Sequence, residues 1–457
     1  MTIQIVLATT AFGLATVTAA YESGTLHRCE RRVLVVACTT AMPEATRPMS
    51  AVAGVPDLMD RFDAVFDYNA YIAPQHPSTW HPRRADLPLW ERHFRQLWGL
   101  GDDDLHLVVE SIQVNPAQAL CRIFGDARID VYADGLMSYG PTRTLLPDII
   151  ACRIERLLHL DLVPGLTPLL LNEHGVPSTA ISTESFRTVS KTMIATRAAG
   201  VTNERVALIV GQYLAADGLL SEWEELDLYA AMVSGCGKPG YTAVTFKPHP
   251  SAPITQLTQL EEAARAQGVR LAVADGQELA EAWFERGGVE LVVGCFSTAL
   301  LTASSLYGLP VARLGTEMML ERLMPFQNSN RIPASLVAAL IPDLTHLARS
   351  EDPPRRADDV SALIVAVGYA MQPLRLAARR SEADAFLRAH YETHSHYFKR
   401  GRLTTLGLPG GLPARRRANV RRRFRRRVRR LRGLVGRWLA GTSQPPSDPD
   451  TSPASVP

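Results

Sequence analysis

From Val206 to Leu314 the chain alternates short β-rich runs with helical patterns, and that rhythm constrains the fold more than any other feature of the sequence. It predicts strands at Val206 to Gly211, Thr242 to Phe246, Arg270 to Ala274, Val289 to Gly294 and Pro310 to Leu314. The intervening helices are predicted at Ser221 to Met232, Ile254 to Gln267, Gln277 to Phe284 and Ser297 to Tyr307. The first of these opens with a cap-like Ser-x-x-Glu, Ser221 and Glu224. Strands that alternate with helices of this length imply parallel βαβ units.

The first half repeats the theme less regularly. Strands are predicted at Ile3 to Leu7, Val33 to Ala37, Leu105 to Val109 and Ile129 to Tyr132, with a helix at Ala117 to Ile123 and longer insertions between Leu145 and Gly200. A chain of 457 residues, 46% of them hydrophobic, is long enough for two domains with full cores. The expected fold is therefore α/β, with two Rossmann-like domains, residues 1–200 and 201–400, facing each other across a cleft.

Ligands of open parallel sheets bind beyond the carboxyl ends of strands, so chemistry-bearing residues directly after predicted strands carry the most weight. Three groups qualify: Tyr132 to Gly135, Phe246 to Ser251 and Phe296 to Ser305. In the second, Pro248 and Pro250 fix the backbone around His249. A histidine held there suits hydrogen bonding or proton donation to a leaving phosphate, with Lys247 adding positive charge; the plainer alternative is a buried histidine in a rigid turn. Ser297 and Thr298 begin a helix, where unpaired N–H groups and the helix dipole favour an anion, although an N-cap takes the same residues without a ligand. Asp134 precedes Gly135 and reads either as a general base aimed into the cleft or as an Asp-Gly turn. Gln212, Tyr213 and Glu110 also stand at strand ends, where they either touch a nucleotide or simply finish a strand. A carboxylate, a histidine and a hydroxyl-bearing helix start together suggest a nucleotide-dependent transferase.

This constellation resembles the bacterial sialyltransferases, most closely the α-2,8-polysialyltransferase group of capsule-building enzymes. That family has two Rossmann-like domains in the GT-B arrangement, an acidic pair followed by Gly in the first, and His-Pro and Ser/Thr motifs in the second. The corresponding residues are Ala133-Asp134-Gly135, His249-Pro250 and Ser297-Thr298, in the family's order, and the resemblance extends over about the first 330 residues. It implies an inverting, metal-independent transfer of sialic acid from CMP-sialic acid to a glycan hydroxyl, with no cofactor beyond the donor substrate. His249 would contact or protonate the CMP phosphate, and Ser297 and Thr298 would bind it. Lys247, Pro250 and Gln212 would complete the donor site. An acid of the first motif would take the acceptor proton as the sugar passes through an oxocarbenium-like state. The first acidic position is Ala133 here, so the resemblance leaves three options: Asp134 acts in a shifted role, Glu110 reaches in from the neighbouring strand end, or the donor is bound without efficient transfer.

Polymerases that move glycerol phosphate from CDP-glycerol are also similar, through the Lys-x-His-Pro segment 247–250 and the later Ser-rich helix start. Glu173-His174-Gly175 is a faint match to their second histidine motif. A metal-dependent sugar transferase would want an Asp-x-Asp after a strand. Asp102 to Asp104 instead precede one and read as a solvated turn, and His390, Glu392, His394 and His396 read as a surface cluster, so no metal site is expected.

The segment Arg415 to Arg437 holds 13 arginines and no acid, leaving 36 basic against 46 acidic residues elsewhere. Past an expected linker at 401–413, Val420, Phe424, Val428, Leu431, Val435 and Trp438 recur at three- or four-residue steps. They predict a cationic amphipathic helix over 414–441, suited to an anionic membrane surface at about 1 kcal/mol per near-surface charge. A disordered tail, 442–457, would follow. The expected location is the inner face of the cell membrane. A nucleic-acid binder would use the same arginines, but an acidic body and a basic run without interleaved aromatic platforms argue against it. Thr2 to Ala20 lacks the basic start of a signal peptide and reads as a strand followed by a helix. The six cysteines lack metal spacing and are expected to be reduced, most of them in the core.

Overall fold

A computed structural model describes residues 1–133, 135–194, 206–237, 241, 243–249, 254–349 and 357–413. Asp134, Pro250 and the basic segment 414–441 lie outside the described residues. The chain divides into two compact units, Met1–Tyr397 and Phe398–Pro457.

The first unit contains two parallel sheets. Strands β1 (Thr2–Ala8), β2 (Arg31–Val36), β3 (Ala64–Asp67), β4 (Asp104–Glu110), β5 (Arg128–Ala133), β6 (Ile154–Leu160) and β7 (Ser178–Ile181) pair in the order β3-β2-β1-β4-β5-β6-β7. Strands β8 (Val206–Val210), β9 (Ala243–Lys247), β10 (Arg270–Val273), β11 (Val289–Gly294) and β12 (Val311–Arg313) pair as β10-β9-β8-β11-β12. Each sheet winds outward from its first strand in both directions, so the order reverses between β1 and β4 and again between β8 and β11. The crevice at such a reversal is where doubly wound sheets bind ligands. Helices cover both faces, which is why central strands such as Val33-Leu34-Val35 are apolar without alternation and fully buried.

The described part of the stretch expected as an insertion, residues 145–194, belongs to the sheet and its helices. It supplies β6, β7 and helix Thr183–Thr192, which packs on helix Ala11–Glu22 with the Phe12 and Phe186 rings edge to face at 5.5 Å. β6 escapes a periodicity search because Glu155, Arg156 and His159 interrupt its apolar run, and β7 and β3 are four-residue strands at the sheet edges. The helix expected from Ser297 to Tyr307 is α-helical only over Thr298–Leu301 and continues as a π-helical turn, Thr302–Leu306. Beyond β12, helices Thr316–Arg322, Arg331–Leu340, Ala357–Met371 and Arg380–His394 complete the unit.

In the second unit the Gly/Pro-rich stretch expected as a linker begins with helix Arg400–Leu406, which Gly407 closes in the left-handed conformation (φ 69°). All six cysteines are unpaired, but only Cys121, Cys236 and Cys295 are buried; Cys152 ends the short helix Asp148–Ala151 and faces outward. Among the described residues no helix is long and apolar enough to cross a membrane.

Candidate active site

The site is assembled from the ends of β8, β9 and β11 on one side and β5 on the other. Gly211 follows β8, and its N–H donates to the Lys247 carbonyl over 2.9 Å. A Cβ on Gly211 would stand 3.0 Å from the Phe246 ring and 3.3 Å from that carbonyl oxygen, so the two strand ends approach this closely only without a side chain. The next residue, Gln212, spans the strand-order reversal: its Oε1 accepts from the Phe296 N–H at 2.7 Å, beyond the end of β11. The Gln212 N–H in turn donates to the Tyr229 hydroxyl at 2.8 Å. Tyr229 donates to Glu225 over 2.7 Å, and the Glu225 carboxylate accepts from the Leu214 and Ala215 N–H groups at 2.6 and 3.0 Å. Helix Glu222–Gly237 thus pins the loop after β8 through one buried carboxylate.

Tyr213 takes a left-handed backbone conformation (φ 58°), which lays its ring nearly parallel to that of His249, with centroids 5.8 Å apart and planes 12° from parallel. The His249 ring opens on the cleft, yet the surrounding walls strip enough water to push its pKa below the usual 6.5, and the Lys247 ammonium pushes the same way. The imidazole is therefore neutral near pH 7. Lys247 lies behind it with Nζ 3.3 Å from the Gly276 carbonyl oxygen. Burial lowers the Lys247 pKa, while Glu281, Glu278 and Asp275 act in the opposite sense. Ser297 caps the helix that starts at Thr298, its Oγ accepting from the Ala299 N–H at 3.3 Å.

From the first sheet, Tyr132, Ala133 and Gly135 come to the same place. Thr298 Oγ1 accepts from the Leu136 N–H at 3.5 Å, and a Cβ on Gly135 would lie 3.1 Å from that oxygen. The resulting cleft, of about 400 Å³, is lined by Ala133, Gly135, Gln212, His249, Ser297 and Thr298, with Arg143 and Asn330 at its wall. A second hollow of about 250 Å³ adjoins it, sharing Gly211, His249, Ser297 and Thr298 and extending past Lys247 to Gly276 and Glu281.

Four of the residues singled out in the sequence, Gln212, His249, Ser297 and Thr298, meet on one cleft, and Lys247 lines the adjoining hollow. Glu110 does not line either. It is buried, with Oε2 accepting from the Thr9 N–H at 2.9 Å and the Thr9 hydroxyl at 3.0 Å, and the Tyr132 hydroxyl stands 3.2 Å away. These bonds hold the carboxylate against the start of helix Ala11–Glu22, outside the cleft lining.

Two residues of the site escaped the sequence. Glu281 is 4% exposed, and burial raises its carboxyl pKa to about 7 against the opposing effects of its own backbone N–H, Lys247 and Thr302. Exposed Arg143 brings a cation to the cleft. A Glu within a helical pattern and an Arg in a loop carry no local mark of a site, so only the fold could find them.

Two parallel sheets share one cleft at their strand ends, with a histidine and a hydroxyl-bearing helix start on the second, and family membership makes the chain a sialyltransferase-like glycosyltransferase. The chain belongs to the alpha-2,8-polysialyltransferase family, whose sequence profile matches residues 4–316. No curated protein sequence matches the chain. Among solved structures, a Photobacterium damselae sialyltransferase GT-B domain is similar at 10% identity and a TM-score of 0.39, over 74% of this chain and 96% of that one. Acinetobacter baumannii MurG is similar at 11% identity and a TM-score of 0.38, over 79% and 99%. The UDP-GlcNAc 2-epimerase of Methanocaldococcus jannaschii is similar at 8% identity and a TM-score of 0.43, over 78% and 95%.

Proposed function

We propose that this enzyme transfers sialic acid from CMP-sialic acid to a glycan hydroxyl, with inversion and without a catalytic metal. The observation that carries the reading is the meeting of His249, Ser297 and Thr298 with Ala133 and Gly135 on one cleft, in a chain of the polysialyltransferase family. The CMP phosphate would sit against the Ser297 and Thr298 hydroxyls, with nucleoside in the hollow past Lys247. As the bond between the anomeric carbon and the phosphate oxygen breaks, His249 would donate a hydrogen bond or proton to the departing phosphate. The acceptor oxygen would attack the opposite face and pass its proton to Asp134, whose chain neighbours Ala133 and Gly135 both line the cleft. Arg143 is the cation that suits the carboxylate of a sialic acid.

The same reading assigns the arginine-rich segment Arg415 to Trp438 to the anionic inner face of the cell membrane, where lipid-linked glycan acceptors of capsule synthesis are built. Titration calorimetry with CMP, and product analysis after incubation with CMP-sialic acid or with CDP-glycerol, test the donor. CMP binding and sialylated product are expected. Turnover of CDP-glycerol without CMP-sialic acid turnover would replace sialyl transfer with glycerol phosphate transfer.

A further inference from the structure

A belt of polar side chains crosses the first sheet near the amino ends of its strands, away from the cleft. Register places Gln4 of β1 between Arg32 of β2 and His106 of β4, and Asp130 of β5 beside Arg156 of β6. Arg32 Nε donates to Gln4 Oε1 at 2.5 Å, and Gln4 Nε2 faces His106 Nδ1 at 3.4 Å. Arg156 donates to Asp130 Oδ2 through Nε and Nη2 at 3.0 and 2.7 Å. The belt is not fully satisfied by these bonds: buried His106 Nε2 makes no hydrogen bond of good geometry, with Asp130 Oδ2 3.5 Å away, and Asp130 Oδ1 is fully buried without a hydrogen-bond partner. Their residues are 1% and 0% exposed, and buried polar atoms left in that state cost about 1–3 kcal/mol each.

Two further residues converge on the same point. His27, from the segment between helix Ala11–Glu22 and β2, and Glu155, the second residue of β6, bring one ligand atom each to within 4.8 Å of those of His106 and Asp130. His27 Nε2 stands 3.4 Å from Glu155 Oε2 and 3.9 Å from Asp130 Oδ2, and His106 Nε2 stands 3.5 Å from Asp130 Oδ2. Ligands bonded to a tetrahedral zinc ion at about 2.1 Å are themselves about 3.4 Å apart, which these separations approach.

We propose that His27, His106, Asp130 and Glu155 hold a structural divalent transition-metal ion such as Zn2+, remote from the cleft. Two imidazoles and two carboxylates fill a tetrahedral shell and leave no position for substrate, the pattern of a structural site. Guanidiniums fit as outer partners of the carboxylates: Arg156 donates to Asp130 Oδ2, the same oxygen that faces both imidazoles, and Arg128 lies 3.6 Å from Oε1 of Glu155, the oxygen turned from His27. Bound there, the ion would tie the segment before β2 to β4, β5 and β6, a cross-link outside the ladder that joins those strands.

The test uses untagged full-length protein, dialysed against a chelator and titrated with Zn2+, with Co2+ as a spectroscopic probe. One equivalent of Zn2+ should bind and raise the thermal midpoint, and Co2+ should show the intense visible bands of tetrahedral coordination. His27→Gln and Glu155→Gln, at partly exposed positions and with folding checked by melting curves, should each weaken binding by at least tenfold, on the order of a ligand loss. Failure to bind one equivalent would overturn the site. So would binding that both variants leave unchanged, which would place the ion elsewhere, for example at the histidines of 390–396.

Discussion

The Leu136 N–H donates to the Oγ1 of Thr298 over 3.5 Å, joining the segment after β5 to the helix start after β11 across 162 residues of sequence. This contact fixes the width of the cleft where donor and acceptor would meet. It also explains Gly135, whose backbone (φ −144°) any residue adopts, so that the requirement for glycine is steric rather than conformational.

Gly135→Ala should therefore spare stability and damage turnover. Its methyl carbon would stand 3.1 Å from Thr298 Oγ1 and force the two walls apart by a few tenths of an ångström. Misplacement on an ångström scale costs about a hundredfold in rate, so a fall of about tenfold in kcat/KM is expected, with the thermal midpoint nearly unchanged. Steady-state kinetics beside a melting curve checks both.

Donor binding should take up a proton. Burial and Lys247 keep His249 neutral at pH 7, and a phosphodiester placed beside it favours the protonated form. CMP-sialic acid has no group of its own that titrates near neutrality, so without acceptor its binding should tighten as pH falls from about 7.5 towards 6. Calorimetry in buffers of different ionisation enthalpy should show more uptake in the natural chain than in His249→Asn, in which Glu281 of the same hollow still titrates near 7. In the free protein the sign is opposite: a histidine whose folded pKa is lowered contributes stability above its unfolded pKa, and that stability is lost as pH falls through the folded value.

Glu281→Gln should stabilise the protein above neutrality. The folded carboxyl titrates at about 7 against 4.5 unfolded, so the neutral form's advantage is complete below pH 4.5 and is lost as pH rises through 7. The difference corresponds to about 3 kcal/mol at pH 8 and to almost nothing at pH 4. Thermal midpoints of the two proteins should accordingly diverge with rising pH; parallel curves would count against a buried, protonated Glu281.

Gln212 braces the strand-order reversal of the second sheet. In Gln212→Ala the Phe296 N–H loses its acceptor, at about 1–3 kcal/mol, and the Ser297 loop is released. Gln212→Glu keeps an acceptor but sets a negative charge beside the phosphate seat. The first variant should lower the thermal midpoint, and the second should instead raise the KM for donor several-fold.

Deletion of residues 414–457 should abolish binding to vesicles containing anionic lipid while leaving soluble turnover intact. Binding by the full chain should weaken with added salt, as screened charge attraction requires. Sedimentation with vesicles of phosphatidylglycerol measures it, and salt-independent retention by the truncated chain would contradict the assignment.

Much of the second sheet was legible in the sequence because its strands are continuous apolar runs set between full-length helices, as at Val289 to Gly294. The first sheet was less so. β6 carries Glu155 and Arg156 within the strand, one facing the proposed ion and the other Asp130, so the same charges that mark its chemistry hide its periodicity. Strand-end position found His249, Ser297 and Gln212, because proline, helix-start hydroxyls and a strand break are local signals. Glu281, Arg143 and the cluster of His27, His106, Asp130 and Glu155 have no such mark, since strands distant in sequence bring them together. Glu110 shows the converse: its place at a strand end suggested chemistry, but hydrogen bonds to Thr9 commit it to holding β1 and β4 together.

The most direct test is release of CMP from CMP-sialic acid, with and without an oligosialic or galactoside acceptor, by the natural chain and by His249→Ala. Release that acceptor stimulates is expected, falling by at least a hundredfold in the variant, on the order of a lost general acid. Equal release by both proteins, or none by the natural chain despite a folded state, would contradict the sialyltransferase reading.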